Sequence, residues 1–130
     1  MGTERSVFSR EGEYWTIRYG GTLCRLRDAA GLQYLACLLH WPGQRFPATE
    51  LVQVARGGAP ARSAFARSTS PTERARVTVT RSIRTTMHRI AVHNPQLGEH
   101  LAATIKTGRC CMYMPNARLF VKWEVRNARS

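Results

Sequence analysis

The chain has 130 residues, enough for one domain with a hydrophobic core that needs no disulfide or metal to stabilise it. Its 20 Lys and Arg residues against 8 Asp and Glu give a net charge of +12, which favours a polyanionic partner. The dispersed carboxylates and the lack of nucleotide-binding or Ser/His/Asp motifs argue against an enzyme, so we expect neither a cofactor nor a metal. With no signal peptide and no apolar run of membrane-spanning length, a cytoplasmic protein without membrane contact is expected.

The N-terminal segment, residues 5–27, predicts a small antiparallel sheet. Apolar and polar residues alternate over 14–19, which is typical of a half-buried strand. The pair Gly20-Gly21 can adopt the positive φ angles of a tight hairpin before the next strand.

Residues 28–55 predict two helices joined by a short turn. Asp28 is placed to cap the first helix, which Pro42-Gly43 ends. Pro47 is suited to the first turn of the second helix. The first helix has an apolar stripe formed by Leu32, Leu35, Leu38 and Leu39.

A long helix over residues 71–93 follows a predicted flexible loop over residues 56–70. The loop is rich in Gly, Ala, Ser and Arg and has no periodicity. Ser70 and Glu73 are spaced as a capping box that would start the helix, with Pro71 at its first position. Its apolar stripe is Val79, Ile83, Met87 and Ile90, and the opposite face carries Arg74, Thr78, Arg81, Thr85, His88 and Arg89.

The last part of the chain predicts a short helix and then strands. Pro95 ends the long helix, and residues 96–104 form the short one. Residues 105–125 predict a β-hairpin with a basic, Gly-containing turn over 106–109, followed by an alternating strand over 119–125 that would close the sheet.

Several short motifs occur in the order found in a known family of domains. They are the Leu-rich helix ending in Pro42-Gly43, Phe46 before Glu50-Leu51, the arginine cluster Arg76-Val77 with Arg81 to Arg84, and the basic turn before Tyr113. Together, over residues 13–114, they resemble the winged helix-turn-helix domains of the OmpR/PhoB effector type. Three sequence segments are also similar to winged-helix segments of bacterial, including actinobacterial, signalling ATPases. They are EGEYWTI, GLQYLACLL and ERARVTVTRSIR. The resemblance implies an α+β fold with an N-terminal antiparallel sheet, three to four helices and a C-terminal β-hairpin wing.

The resemblance also implies a sequence-specific transcriptional regulator that binds double-stranded DNA in the nucleoid. The long helix would lie in the major groove, with Arg81 as the main base-reading residue and with Arg74 and Arg89 on phosphates. The wing would contact the backbone. A homodimer and a larger signalling or transcription partner are both left open. The expected DNA-binding residues are Arg74, Thr78, Arg81, Arg84, Thr85, His88, Arg89, Lys106, Thr107 and Arg109.

Two other functions remain open on the sequence alone. Cys110-Cys111 in a basic hairpin could serve a thiol- or metal-responsive regulator, although strand alternation places the two thiols on opposite faces. A winged helix can also dock an acidic protein through its basic face. The three tryptophans are expected in the core or covering the sheet, not as stacking platforms for single strands, and they are Trp15, Trp41 and Trp123.

Overall fold

A computed structural model shows a mixed α+β fold with an N-terminal sheet and four helices, which confirms the predicted class. The structure describes residues 6–55, 69–108, 110–115 and 121–127, so most of the predicted 56–70 loop lies outside the described residues. None of the described helices is long and apolar enough to cross a membrane. The elements are β1 (Ser6–Glu11), β2 (Tyr14–Tyr19), β3 (Thr22–Arg27), α1 (Ala30–His40), β4 (Phe46–Pro47), α2 (Ala48–Ala55), α3 (Thr69–His93), α4 (Pro95–Thr104), β5 (Ile105–Lys106), β6 (Cys110–Tyr113) and β7 (Trp123–Asn127).

The N-terminal sheet has the strand order β3-β2-β1-β7, and its first three strands form the predicted antiparallel meander. Gly20 and Gly21 both have positive φ angles, +59° and +82°, as the β2–β3 hairpin requires. The last strand differs from the prediction. It begins at Trp123 and pairs with β1 in parallel, and its Trp123 ring packs edge-on against Phe8 at 6.1 Å between ring centroids. Residues 119 and 120 of the predicted strand lie outside the described part.

Asp28 does not cap α1, contrary to the prediction. The N-cap of α1 is Ala29, which makes no side-chain hydrogen bond to the helix. The Asp28 carboxylate instead accepts from Trp15 Nε1 at 2.8 Å and from Gln33 Nε2 at 3.1 Å, and it pairs with the Arg10 guanidinium at 3.1 Å. Three donors, one of them charged, satisfy the carboxylate better than a single cap bond would. Asp28 therefore links the sheet to the start of α1.

Helix α3 begins at Thr69, two residues before the prediction. Ser70 therefore lies inside the helix and is not its N-cap, so the predicted capping box does not start the helix. Pro71 falls in the first turn, where a backbone N–H has no helical partner and proline is tolerated. Glu73 pairs with Arg76, whose guanidinium lies 3.5 Å from the carboxylate.

The core lies where α1, α2, α3 and α4 meet the inner face of the N-terminal sheet. The α1 leucines and most of the predicted α3 stripe are buried, and Met87 is partly buried against the core. Gly31 permits close packing of α1 on α3, because a Cβ there would lie 2.5 Å from the Ser82 carbonyl oxygen. The prediction for Trp41 is wrong: this side chain, at the C-terminal end of α1, is 51% exposed and contacts only the edge of the His40 ring among the aromatic residues described.

A second, three-stranded sheet forms from β4, β6 and β5, in that order. Strands β5 and β6 are antiparallel, with Ile105 opposite Tyr113, and β4 pairs with the other edge of β6, with Phe46 opposite Cys111. These four side chains are buried, so the inner face of this sheet belongs to the core. The β5–β6 hairpin is present where the sequence predicts it.

Candidate nucleic-acid interface

The face of α3 that points away from the core is basic. The helix contains five arginines and a single carboxylate, Glu73. The side chains that the sequence places opposite the core stripe are exposed, apart from Arg89, which is half-buried. Because Val79, Ile83 and Ile90 are fully buried on the inner side, the rotation of the helix is determined by its packing. The exposed site residues are Arg74, Thr78, Arg81, Arg84, Thr85 and His88.

An open groove of about 600 Å³ separates this face from the turn of the β5–β6 hairpin. Four of the predicted site residues line it, namely Arg81, Arg84, Thr85 and His88. Gly108, with φ +141°, forms the opposite wall from the hairpin. The remaining lining residues, which sequence reasoning did not select, are Arg76, Val77 and Thr80.

Arg76 and Thr80 are half-buried, and a helical projection places Arg76 within the core stripe and Thr80 beside it, so spacing alone did not select them for the site. Only the position of the hairpin turn brings them into the groove. Val77 could have been found, since it precedes Arg81 by four residues and so shares its face. Conversely, Arg74, Thr78 and Arg89 do not line the groove and lie elsewhere along α3.

The arginines of the groove are short of carboxylate partners. Among the described residues, no carboxylate lies within ion-pair distance of Arg81 or Arg84. Arg76 has Glu73 at 3.5 Å, but both side chains are substantially exposed, so solvent screens the pair. Within the part of the chain that the structure describes, the groove therefore offers two guanidinium groups without an ion-pair partner to an anion.

Backbone hydrogen bonds at the base of the hairpin set its position in the fold. The Met114 N–H donates to the Thr104 carbonyl at 2.7 Å, and the Gly43 N–H donates to the Tyr113 carbonyl at 2.8 Å. These bonds connect β6 to the end of α4 and to the turn after α1. Of the predicted wing residues, Lys106 is exposed and Thr107 is half-buried, while Arg109 lies outside the described residues.

The α3–α4 junction is anchored by Asn94. Its amide oxygen accepts from the Leu97 N–H at 3.2 Å and caps α4, while its amide nitrogen donates to the Tyr19 carbonyl at 3.0 Å. Gly98 lets α4 approach α3, because a Cβ at this position would lie 2.5 Å from the Ala91 methyl. The C-terminal half of α3 is thus covered on one flank by α4.

A buried polar cluster below the hairpin also escaped the sequence analysis. His100 Nε2 lies 2.7 Å from the Tyr113 hydroxyl, which accepts from Trp123 Nε1 at 3.1 Å. The Tyr19 ring stacks on both His100 and Trp123. Burial lowers the pKa of His100 below its ordinary value of 6.5. The cluster joins β2, near the start of the chain, to α4, β6 and β7.

Burial disfavours the thiolate form of three of the four cysteines, Cys24, Cys37 and Cys111. Cys111 is buried while Cys110 is half-exposed, as strand alternation predicts. Burial raises the pKa of the Cys111 and Cys24 thiols, and burial with nearby Glu50 raises the pKa of Cys37 to about 11. No group of three or more His, Cys, Asp or Glu side chains among the described residues could hold a metal ion.

The groove can bind an anion through charge and hydrogen bonds, because guanidinium, hydroxyl and imidazole groups line it and none of its described lining residues is a carboxylate. Guanidinium forks suit phosphate oxygens and guanine edges alike. No family model matches the chain, and no curated protein or solved structure matches it significantly.

Proposed function

We propose that this chain is a winged helix-turn-helix domain that binds duplex DNA in a sequence-specific manner and regulates transcription. Helix α3 lies in the major groove, and the β5–β6 hairpin is the wing on the neighbouring backbone. The observation that carries the proposal is the groove between α3 and the hairpin turn, lined by Arg81 and Arg84, which have no carboxylate partner among the described residues.

The dimensions of α3 support this arrangement. The B-DNA major groove is about 12 Å wide and accommodates a helix with its side chains. At 25 residues, α3 is roughly 37 Å long. A straight helix of this length cannot stay within the curved major groove of DNA along its whole length, so only some of its turns contact bases. The middle turns, with Thr78, Arg81, Thr85 and His88, are exposed and are the ones we assign to base edges.

The remaining cations are assigned to the DNA backbone. Arg74 and Arg89 lie on α3 but do not line the groove between α3 and the hairpin turn. They would contact DNA phosphates on either side of the base-reading turns. Lys106, Thr107 and Arg109 belong to the hairpin and would contact the strand that passes between the hairpin and α3. Such contacts fix orientation and make affinity depend on salt.

Selection from random duplexes, followed by sequencing and by titration of the enriched site, tests the proposal. Arg81→Ala with Arg84→Ala should reduce affinity for the enriched site by at least about a hundredfold, since each guanidinium contact is charge-assisted. A matched double variant, Arg18→Ala with Arg27→Ala, removes the same charge from exposed positions of the N-terminal sheet and should bind nearly as the parent does. Failure to enrich any motif would contradict specific binding.

Two further outcomes identify the assembly and the main alternative. An enriched palindrome or direct repeat would indicate a homodimer and its symmetry. Weak duplex binding that Arg81→Ala and Arg84→Ala leave unchanged would instead indicate that this face docks an acidic protein.

A further inference from the structure

An apolar side chain interrupts the basic face of α3. Val77 is 53% exposed and lines the groove together with Arg81 and Arg84. It is not part of the described hydrophobic core or of the partly buried side chains packed against that core. A β-branched residue is also a poorer helix former than alanine or arginine, so helix stability does not account for it.

Val77 lies on the same face of the helix as Arg81 and Arg84, two of the arginines that line the groove. Val77, Arg81, Arg84 and His88 are spaced at i, i+4, i+7 and i+11, which places them on one face. Four residues of helix rise about 6 Å, close to two base-pair steps of about 3.4 Å. A helix that follows the major groove would therefore bring Val77 and Arg81 to bases roughly two steps apart.

The major-groove edges of the bases offer one apolar group, the C5-methyl of thymine. An exposed valine beside an arginine therefore matches a thymine near a guanine, whose O6 and N7 accept from a guanidinium. Val92 is also exposed, at 78%, but it does not line the groove. Exposure alone thus does not distinguish the two valines, whereas position beside the groove arginines does.

We propose that Val77 determines specificity by contacting the C5-methyl group of a thymine about two base pairs from the guanine that Arg81 contacts. The inference rests on the proposed function, because it requires α3 to lie in the major groove. It predicts that the recognised site contains a thymine whose methyl group contributes to affinity.

The test replaces each thymine of the enriched duplex in turn with deoxyuridine, which lacks only the methyl group. We expect one thymine near the essential guanine at which the replacement weakens binding about fourfold, as for one methyl group taken out of water. Val77→Ala should bind the thymine and the uracil duplexes equally. Val92→Ala, the matched control on the same helix, should keep the fourfold difference.

The outcomes separate this inference from the proposed function. One contrary outcome is an enriched motif in which no thymine-to-deoxyuridine replacement weakens binding, and another is that Val77→Ala still binds the deoxyuridine duplex more weakly. In either case Val77 does not contact the methyl group, and the DNA-binding proposal stands. If no duplex is bound, both proposals fail together. Circular dichroism and thermal melting of Val77→Ala, a surface change that favours the helix, verify that the variant is folded.

Discussion

His100 and Tyr113 form a buried hydrogen bond of 2.7 Å between α4 and β6. The Trp123 N–H can only donate, and it donates to the Tyr113 oxygen, so the Tyr113 hydroxyl proton is available to His100 Nε2. The neutral imidazole then carries its own proton on Nδ1, which finds no partner among the described residues. Protonation of Nε2 would add a buried charge and remove the acceptor that Tyr113 uses. The cluster therefore favours neutral His100.

The first prediction concerns pH. Burial lowers the pKa of His100 in the folded chain below 6.5, the ordinary value that applies to the unfolded chain. As pH falls through 6.5, His100 of the unfolded chain takes up a proton that His100 of the folded chain does not. The free energy of unfolding therefore decreases. The decrease ends once the pH is below the pKa of His100 in the folded chain. Urea unfolding at about pH 7.5 and about pH 5.5 should show this loss.

His100→Phe serves as the comparison for the pH experiment. It keeps a buried ring in contact with Tyr19 but cannot titrate, so its loss of stability between the two pH values should be smaller than that of the parent. An equal loss in both chains would assign the pH dependence to other groups.

The second prediction concerns the Tyr113 hydroxyl. Tyr113→Phe leaves both His100 Nε2 and the Trp123 N–H without this partner, and an unsatisfied buried polar group costs about 1–3 kcal/mol. Chemical denaturation should show a destabilisation in that range. Tyr14→Phe, at a side chain 44% exposed on the sheet, should change stability by less than about 0.5 kcal/mol. Equal effects of the two variants would contradict the assigned role of the cluster.

The third prediction separates the two roles of Asn94. Asn94→Ala removes the cap of α4 and the bond to the Tyr19 carbonyl, and should destabilise the chain by about 1–3 kcal/mol. Asn94→Asp keeps an oxygen for the Leu97 N–H but places a carboxylate against the Tyr19 carbonyl. If only the cap matters, Asn94→Asp should match the parent in denaturant titrations. We expect the stability of Asn94→Asp to lie between those of the parent and Asn94→Ala, because the hydrogen bond to the Tyr19 carbonyl in the β2–β3 hairpin is lost.

Local patterns predicted the elements of this fold, and non-local contacts account for what they missed. The alternation before Gly20-Gly21 and the stripe through Ile83 depend only on neighbouring residues, and both agree with the structure. The parallel pairing of β7 with β1 joins opposite ends of the chain, and no local pattern encodes a partner strand. Asp28 has the residue type of a cap, but its donors come from β1, β2 and α1.

The candidate site was predictable in its helix and not in its opposite wall. The basic face of α3 follows from helical spacing, so Arg81 and Arg84 could be named in advance. The groove also depends on where the hairpin turn packs, and that is set by bonds between β6, α4 and the turn after α1. Arg76 enters the site only through this tertiary arrangement.

The last prediction concerns Glu73, the single carboxylate of α3. It lies 3.5 Å from Arg76, and in the proposed DNA complex it would compete with a phosphate for that guanidinium. Glu73→Gln should tighten duplex binding about threefold at moderate salt and steepen the dependence of log affinity on log salt by about one, the change expected for one more phosphate contact. Fluorescence anisotropy at several salt concentrations measures both quantities.

Glu99→Gln is the matched control for Glu73→Gln, because it removes one negative charge from an exposed position on α4 that does not line the groove. A general effect of net charge would act on both variants, whereas competition for Arg76 acts on Glu73→Gln alone. We therefore expect the salt slope to change only in Glu73→Gln, and the change should disappear when Arg76→Ala is added to it. An equal gain in affinity from Glu99→Gln would show that Glu73 acts through net charge and that Arg76 does not bind phosphate.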